Sequence, residues 1–123
     1  MDIKKINIKD KFELINEYWK PYIVCELNGQ YVKLDKFKGP FTWHHHENED
    51  EMFLVIKGEF DMQLRNETIR IKEGEFIIIP RGVEHCPSAE NEVHILLFEP
   101  KSTLNTGNVK DEFTLENLLR LDE

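Results

Sequence analysis

Several features are missing from this sequence of 123 residues, and each absence excludes a class of protein. No apolar run comes near the roughly 20 residues that a membrane-spanning helix requires, and residues 1–10 lack the apolar core of a secretion signal. No run of Lys and Arg is longer than two, and the formal net charge is −8, which argues against a nucleic-acid partner. We therefore expect a cytoplasmic protein that binds neither membranes nor nucleic acids and whose partner is a small molecule or a protein.

Cysteine is scarce as well. Cys25 and Cys86 are the only two, and their spacing fits neither a CxxC metal motif nor a disulfide framework. We expect both to be reduced, with Cys86 a packed thiol rather than a nucleophile. A chain of this length closes one hydrophobic core, so residues 1–123 are expected to form a single domain.

The apolar residues recur mostly at every second position, which is the period of β-strands. Asn28-Gly29 separates two such segments and is the strongest local signal for a hairpin, because both residues tolerate positive φ. No long helical pattern interrupts the series, so the sequence predicts an all-β, antiparallel sandwich or small barrel. The predicted strands cover residues 22–27, 30–37, 52–58, 59–65, 68–72, 75–80 and 92–100.

Helix is expected only near the two ends of the chain. Asp10 is a candidate N-cap for a short helix over residues 11–19, which Pro21 would end. Thr114 is a candidate N-cap for a C-terminal helix within residues 111–123. We expect residues 1–22 to cover a sheet or to pack on a second subunit.

Four side chains in the middle of the chain are candidate metal ligands. His44 and His46 lie two residues apart, so on a strand both imidazoles point to the same side, with His45 on the other. Glu51 follows after a short acidic turn and begins the next strand. His85 comes just after Pro80 and Gly82, where a tight bend can aim an imidazole inward. The alternatives are a solvated acidic loop beside an unrelated histidine, or the same fold without a metal.

These residues resemble the two motifs of the cupin family, G(X)5HXH(X)3,4E(X)6G and G(X)5PXG(X)2H(X)3N. One residue fewer separates Gly39 from His44 than the first motif asks, and Ala89 replaces the final Asn of the second. The resemblance implies a jelly-roll barrel of six to eight strands, a three-His, one-Glu metal centre inside it, and frequent homodimers. The matching residues, within 39–89, are Gly39, His44, His46, Glu51 and Gly58, then Gly74, Pro80, Gly82 and His85.

Three imidazoles and one carboxylate suit a divalent transition metal, namely Mn, Fe, Co, Ni or Zn, and the sequence does not distinguish among these. A six-coordinate ion would keep two positions open for water or a bidentate substrate. Alternation along the strands predicts an apolar inner wall that includes Thr42, Phe53 and Val55. No second acid is predicted in the cavity.

Three functions remain open at this point. The first is a metal-dependent dioxygenase that acts on a small apolar or aromatic substrate. The second is a metal-dependent isomerase of a sugar or sugar phosphate, which would need a general base and, for a phosphate, a cation in the pocket. The third is a binding protein that holds a small ligand without turnover.

Overall fold

The computed structural model of the chain describes residues 3–121. Within this range the chain forms seven antiparallel strands and one short helix, so the all-β prediction is confirmed. None of the described helices is both long and apolar enough to cross a membrane. The elements are α1 (Ile8–Phe12), β1 (Tyr22–Leu27), β2 (Gln30–Pro40), β3 (Glu51–Lys57), β4 (Glu59–Leu64), β5 (Thr68–Lys72), β6 (Phe76–Ile79) and β7 (His85–Pro100).

The long strand β7 organises the sheet. Its second half lies between β2 and β3, and its first half, from His85 to Ser88, pairs with β4. The strand order is therefore β1-β2-β7-β3-β6, with the β4–β5 pair joined through β7. Because β7 pairs with β2 and β3 along one part of its length and with β4 along another, the sheet curls around an interior.

The predicted hairpin at Asn28-Gly29 is confirmed. Both residues have positive φ, 50° and 77°, and the flanking strands β1 and β2 pair with Leu27 opposite Gln30. This is the backbone conformation that matches the twist of a two-residue hairpin. The later predicted strands are confirmed to within a few residues, and β7 extends the strand predicted over residues 92–100 back to His85.

The N-terminal helix differs from the prediction. It spans Ile8–Phe12, and the side chain of Asn7, not that of Asp10, accepts the capping hydrogen bond. The helix ends early because the sheet holds Trp19. The backbone N–H of Trp19 donates to the Lys36 carbonyl, and its indole N–H donates to the Lys38 carbonyl. Tertiary packing here overrides local helix propensity.

The predicted C-terminal helix is wrong for the described part of its range, residues 111–121; residues 122–123 lie outside the described part. The hydroxyl of Thr114 accepts from the preceding Asp111 N–H, so it does not cap a following helix. Farther on, Ile23 of β1 donates its N–H to the Leu119 carbonyl and accepts from the Leu121 N–H. These bonds hold the segment extended against the sheet.

Apolar side chains cover both faces of the sheet. The interior is filled by aromatic and aliphatic residues such as Phe37, Phe53 and Val55. On the outer face, Phe12 and Ile15 of the N-terminal segment pack on the sheet. Full burial of such side chains contributes about 2 kcal/mol each to the free energy of folding.

Candidate metal centre

The backbone brings the two histidine segments together. His44 and His46 lie in the connection between β2 and β3, which is not the regular strand that we expected. His44 nevertheless pairs with His85 as an isolated antiparallel bridge, in which each N–H donates to the other residue's carbonyl at 3.0 and 2.9 Å. Two candidate ligands far apart in the sequence are therefore joined directly through their backbones.

The bend before His85 is fixed on the same segment. Gly82 has a φ of 81°, which favours glycine, and its N–H donates to the His46 carbonyl at 2.7 Å. Glu51 opens β3, where it lies opposite Ile79 of β6, the strand that leads into the bend. These backbone hydrogen bonds thus hold the candidate ligands close together.

The structure brings together all four side chains named from the sequence. His44, His46, Glu51 and His85 are buried, and one possible ligand atom from each lies within 4.8 Å of every other. Ligands about 2.1 Å from one ion lie at most about 4.2 Å apart, so shifts of a few tenths of an ångström would complete the coordination. The arrangement could therefore hold a metal ion.

Hydrogen bonds to carbonyl oxygens fix two of the imidazoles. Nδ1 of His44 lies 2.7 Å from the carbonyl oxygen of Thr42, and Nδ1 of His85 lies 2.9 Å from that of Val83. Since a carbonyl oxygen only accepts, each Nδ1 carries the proton and each neutral ring presents the lone pair of Nε2. Histidines that bind metals are commonly oriented in this way.

Two contacts inside the cluster bring an imidazole nitrogen close to a carboxylate oxygen, with no cation between them. Nε2 of His85 lies 3.2 Å from Oε1 of Glu51, although neither atom has a proton to donate when the ring is neutral and the acid is ionised. Nε2 of His46 lies at the same distance from that oxygen but has no hydrogen-bond partner among the described residues. A proton would relieve one of these contacts, whereas a dication would relieve both, so the donor set fits a metal.

Burial and neighbouring charges tune the protonation of the cluster. Burial, followed by the nearby His85, lowers the pKa of His44 to about 4, so its ring is neutral at pH 7. Burial alone would favour the neutral form of Glu51, but hydrogen bonds from the His46 and His85 rings, formed when a ring carries a proton on Nε2, hold the pKa of Glu51 well below the usual range. Both residues are therefore in the state that a metal ion requires.

Sequence reasoning missed a second buried acid beside the cluster. Glu99 of β7 is buried, and Nζ of the buried Lys33 donates to its Oε1 at 2.7 Å. Burial and the charge of Glu51 raise the pKa of Glu99 well above its ordinary value. The alternation of side chains along the strand could have predicted this burial, because Glu99 shares its side of β7 with the buried Leu97 and Ile95.

A small cavity adjoins the cluster. Its volume is about 30 Å³, enough for about two water molecules, and it runs past His44 and Glu51 into the interior of the fold. Its wall is mostly apolar and aromatic, as predicted, and includes Phe53. The other polar residues of the wall are Asp35, Glu99 and Asn105.

Other residues singled out from the sequence lie outside the cluster. Thr42 is not an inner-wall residue, because its hydroxyl donates to Asp111 at the surface. His45 turns away, as predicted, and its Nε2 contacts Glu47. Cys86 is a packed thiol whose pKa is raised by burial, and both cysteines are free. The fifth histidine of the sequence, His94, also lies outside the cluster, where it stacks on Phe12 and its Nε2 hydrogen-bonds to Glu92.

Comparisons with known proteins agree with this picture. A family model described as the cupin domain matches residues 31–99, more than half of the chain. A solved structure of a cupin-2 domain protein from Shewanella frigidimarina is 42% identical, with a TM-score of 0.77, over 78% of this chain and 94% of that one. This likeness confirms the predicted jelly-roll barrel.

Curated proteins that resemble the chain include the following two. YdbB, an uncharacterized protein of Bacillus subtilis, is 33% identical over 72 residues, which are 58% of this chain and 64% of that protein. The 3-hydroxyanthranilate 3,4-dioxygenase of Xenopus laevis is 27% identical over 101 residues, which are 76% of this chain and 36% of that enzyme. The chain thus spans less than two thirds of the length of either relative.

The lowered pKa of His44 predicts that the metal-free protein is sensitive to acid. Between the unfolded pKa of 6.5 and the folded value of about 4, the unfolded chain binds a proton at this position that the folded chain does not. The free energy of unfolding should therefore fall by about 3 kcal/mol from this group as the pH drops from 6.5 to 4. Urea unfolding in EDTA at several pH values measures this fall, which should be smaller in His44→Gln. Parallel losses in both proteins would contradict the assignment.

Proposed function

The chain belongs to the cupin family, and we propose that His44, His46, Glu51 and His85 hold one divalent transition metal at which a small molecule binds. The observation that carries the proposal is the burial of four ligand atoms within 4.8 Å of one another. Buried polar groups normally have a partner, and no single proton serves all four. The donor set suits Mn, Fe, Co, Ni or Zn.

The residues around the cluster have defined roles in this proposal. The Thr42 and Val83 carbonyls orient His44 and His85, and Glu99, which is paired with Lys33, hydrogen-bonds to the Glu51 side chain. Aromatic side chains of the cavity wall exclude water from the ligand. When bound, a metal in such a site supplies Lewis-acid chemistry or, if it is iron, chemistry with dioxygen.

A dioxygenase that acts on a small apolar or aromatic substrate is our first candidate. It is supported by the aromatic wall of the cavity and by the similarity to 3-hydroxyanthranilate 3,4-dioxygenase. Because the chain covers only 36% of that enzyme, the similarity supports a reaction class and does not extend to the substrate. A substrate ring would pack on side chains such as Phe41 and Phe53 only after these move apart, because the cavity of about 30 Å³ holds about two water molecules.

A metal-dependent sugar isomerase is the second candidate. The observation that favours it is the presence of Asp35 and Glu99 in the cavity wall, because the sequence predicted no acid there besides Glu51. A sugar phosphate is disfavoured, since none of the described residues that line the cavity is Lys or Arg. A binding protein without turnover is the third candidate and requires only the cavity and the metal.

We also propose that the protein is a homodimer in the cytoplasm. The outer face of β3 and β6 is apolar yet open to solvent, with Phe76 and Ile78 60% and 53% exposed beside Met52 and Leu54. β6 ends the strand order, so a second copy packed there would cover both the face and the edge. The cytoplasmic location stays a prediction.

Replacement of one ligand should abolish metal binding, whereas replacement of its neighbour should not. After loading with cobalt and dialysis, elemental analysis should give about one ion per chain for the native protein and for His45→Ala. His46→Ala should bind at least tenfold more weakly, because it loses a ligand outright. Equal occupancy in the two variants would rule out the proposed ligand set.

Oxygen consumption should separate the candidate reactions. Protein loaded with iron(II) is incubated under air and under argon with catechol, 2,4-pentanedione and fructose 6-phosphate. A dioxygenase consumes oxygen with catechol or the diketone, and His46→Ala does not. Turnover of the sugar under argon would favour the isomerase, and protection against heat without product would favour the binding protein. Either result would contradict our first candidate.

The molar mass of the protein in solution tests the proposed dimer face. Light scattering should give about twice the 14.7 kDa of one chain, and Ile78→Lys should reduce the mass to one chain because it places a charge on the covered face. Ile3→Lys is the matched control, since Ile3 is 98% exposed and lies outside β3 and β6. A native monomer, or a dimer that survives Ile78→Lys, would overturn this face as the contact.

A further inference from the structure

Trp19 has an unusual backbone conformation. Its φ is 59°, and the only other described residue besides glycine with a positive φ is Asn28, in the hairpin. A bulky residue is strained in this region, so the conformation persists only where the surrounding structure enforces it, which happens most often at ligand sites. Here the Trp19 N–H donates to the Lys36 carbonyl at 2.9 Å and the indole N–H to the Lys38 carbonyl at 2.8 Å. The indole ring is therefore held in a fixed place.

The indole ring of Trp19 lines the cavity beside the metal cluster. It stacks on two phenylalanines of the same wall, with ring centroids 4.2 Å apart for Phe37 and 4.7 Å apart for Phe41. The planes of these rings lie within 18° and 19° of the indole plane, so each is nearly parallel to it. The wall thus contains a stack of flat rings, and such a surface suits another flat ring.

Phe41 differs from the other aromatic residues of this wall. Among the described lining residues, Trp19, Phe37 and Phe53 are between 2% and 7% exposed, whereas Phe41 is only partly buried. The Phe41 ring also contacts His44, with 5.6 Å between the ring centroids and 85° between the planes. Phe41 therefore lies between the fixed indole, a proposed metal ligand and the surface.

The segment that covers Phe41 is weakly packed. The ring of Phe113 lies against that of Phe41, with 5.1 Å between the centroids, and none of the described residues from 107 to 121 is buried. A segment with so few buried contacts opens at a low cost in free energy. The Phe41 side chain can therefore turn outward without opening the buried core.

An aromatic ring does not fit the cavity as it stands, because about 30 Å³ holds about two water molecules. Resting on the proposed metal site, we propose that Phe41 is a gate residue: its ring occupies the place of an aromatic ligand, which displaces it and stacks on Trp19. An oxygen group on the ligand then binds the metal beside His44. The site thus selects molecules that join one aromatic ring to a metal-binding oxygen group.

Two hydroxamic acids test the proposal on zinc-loaded protein, because both bind metals through the same group and only benzohydroxamic acid carries a ring. Calorimetry measures both affinities in the native protein and in Phe41→Ala. Because the Phe41 ring no longer has to leave, the variant should bind benzohydroxamic acid about tenfold more tightly and acetohydroxamic acid with unchanged affinity. Phe98→Ala is the matched control at a partly exposed phenylalanine outside the cavity wall, and it should change neither affinity.

NMR of the native protein tests the exchange of rings directly and needs no variant. Without a ligand, nuclear Overhauser effects should connect the ring protons of Phe41 with those of the Trp19 indole, since the two rings are stacked. In the complex with benzohydroxamic acid these effects should disappear. Effects between the phenyl protons of the ligand and the indole should replace them.

The contrary outcomes separate the inference from the metal site. Persistence of the Phe41–indole effects in the complex would overturn the inference and leave the metal site standing. The same conclusion follows if Phe41→Ala binds benzohydroxamic acid no more tightly, or if native protein that holds zinc by elemental analysis does not bind this acid. Failure of the native protein to take up zinc would overturn the metal site and, with it, the inference.

Discussion

The fold places three imidazoles and a carboxylate inside a β-barrel, where none of them can be solvated by bulk water. Removing such groups from water is unfavourable unless partners replace the lost hydrogen bonds. Carbonyl oxygens of Thr42 and Val83 serve the Nδ1 atoms of His44 and His85, but the Nε2 atoms converge on one another and on Glu51. A shared cation satisfies this convergence, and much of the local structure follows from the need to keep the four groups together.

Backbone pairing, more than side-chain packing, holds the cluster in place. The reciprocal hydrogen bonds between His44 and His85 and the bond from Gly82 to His46 join the two histidine segments. A loop from the C-terminal region supports them, since the Asn108 N–H donates to the His45 carbonyl and the Asn108 side chain accepts from the His45 N–H. Gly107 fits there only because it lacks a Cβ, which would lie 2.1 Å from the His45 carbonyl oxygen. The cluster is therefore organised before any ligand binds, which reduces the ordering that binding requires.

Local patterns in the sequence predicted the strands and the Asn28-Gly29 hairpin, because each depends on neighbouring residues. The gathering of the four candidate ligands was expected from the resemblance to the two cupin motifs, since His85 lies far along the chain from the other three. The C-terminal helix was predicted wrongly because Leu119 and Leu121 exchange hydrogen bonds with Ile23, a partner almost one hundred residues away. The ion pair of Lys33 and Glu99 was missed for a similar reason: alternation points both side chains inward, but only the pairing of β2 with β7 shows that they meet. A local sequence pattern does not predict which distant strands pair, so it does not predict the contacts between them.

The central claim is that one metal ion lies among His44, His46, Glu51 and His85, and anomalous diffraction from crystals grown with a transition metal tests it most directly. The account predicts a single strong peak at the absorption edge of that metal, about 2.0–2.2 Å from a nitrogen of each histidine and an oxygen of Glu51. A peak located instead at the exposed acidic turn of Glu47, Glu49 and Asp50, or no peak at all from metal-loaded crystals, would contradict it.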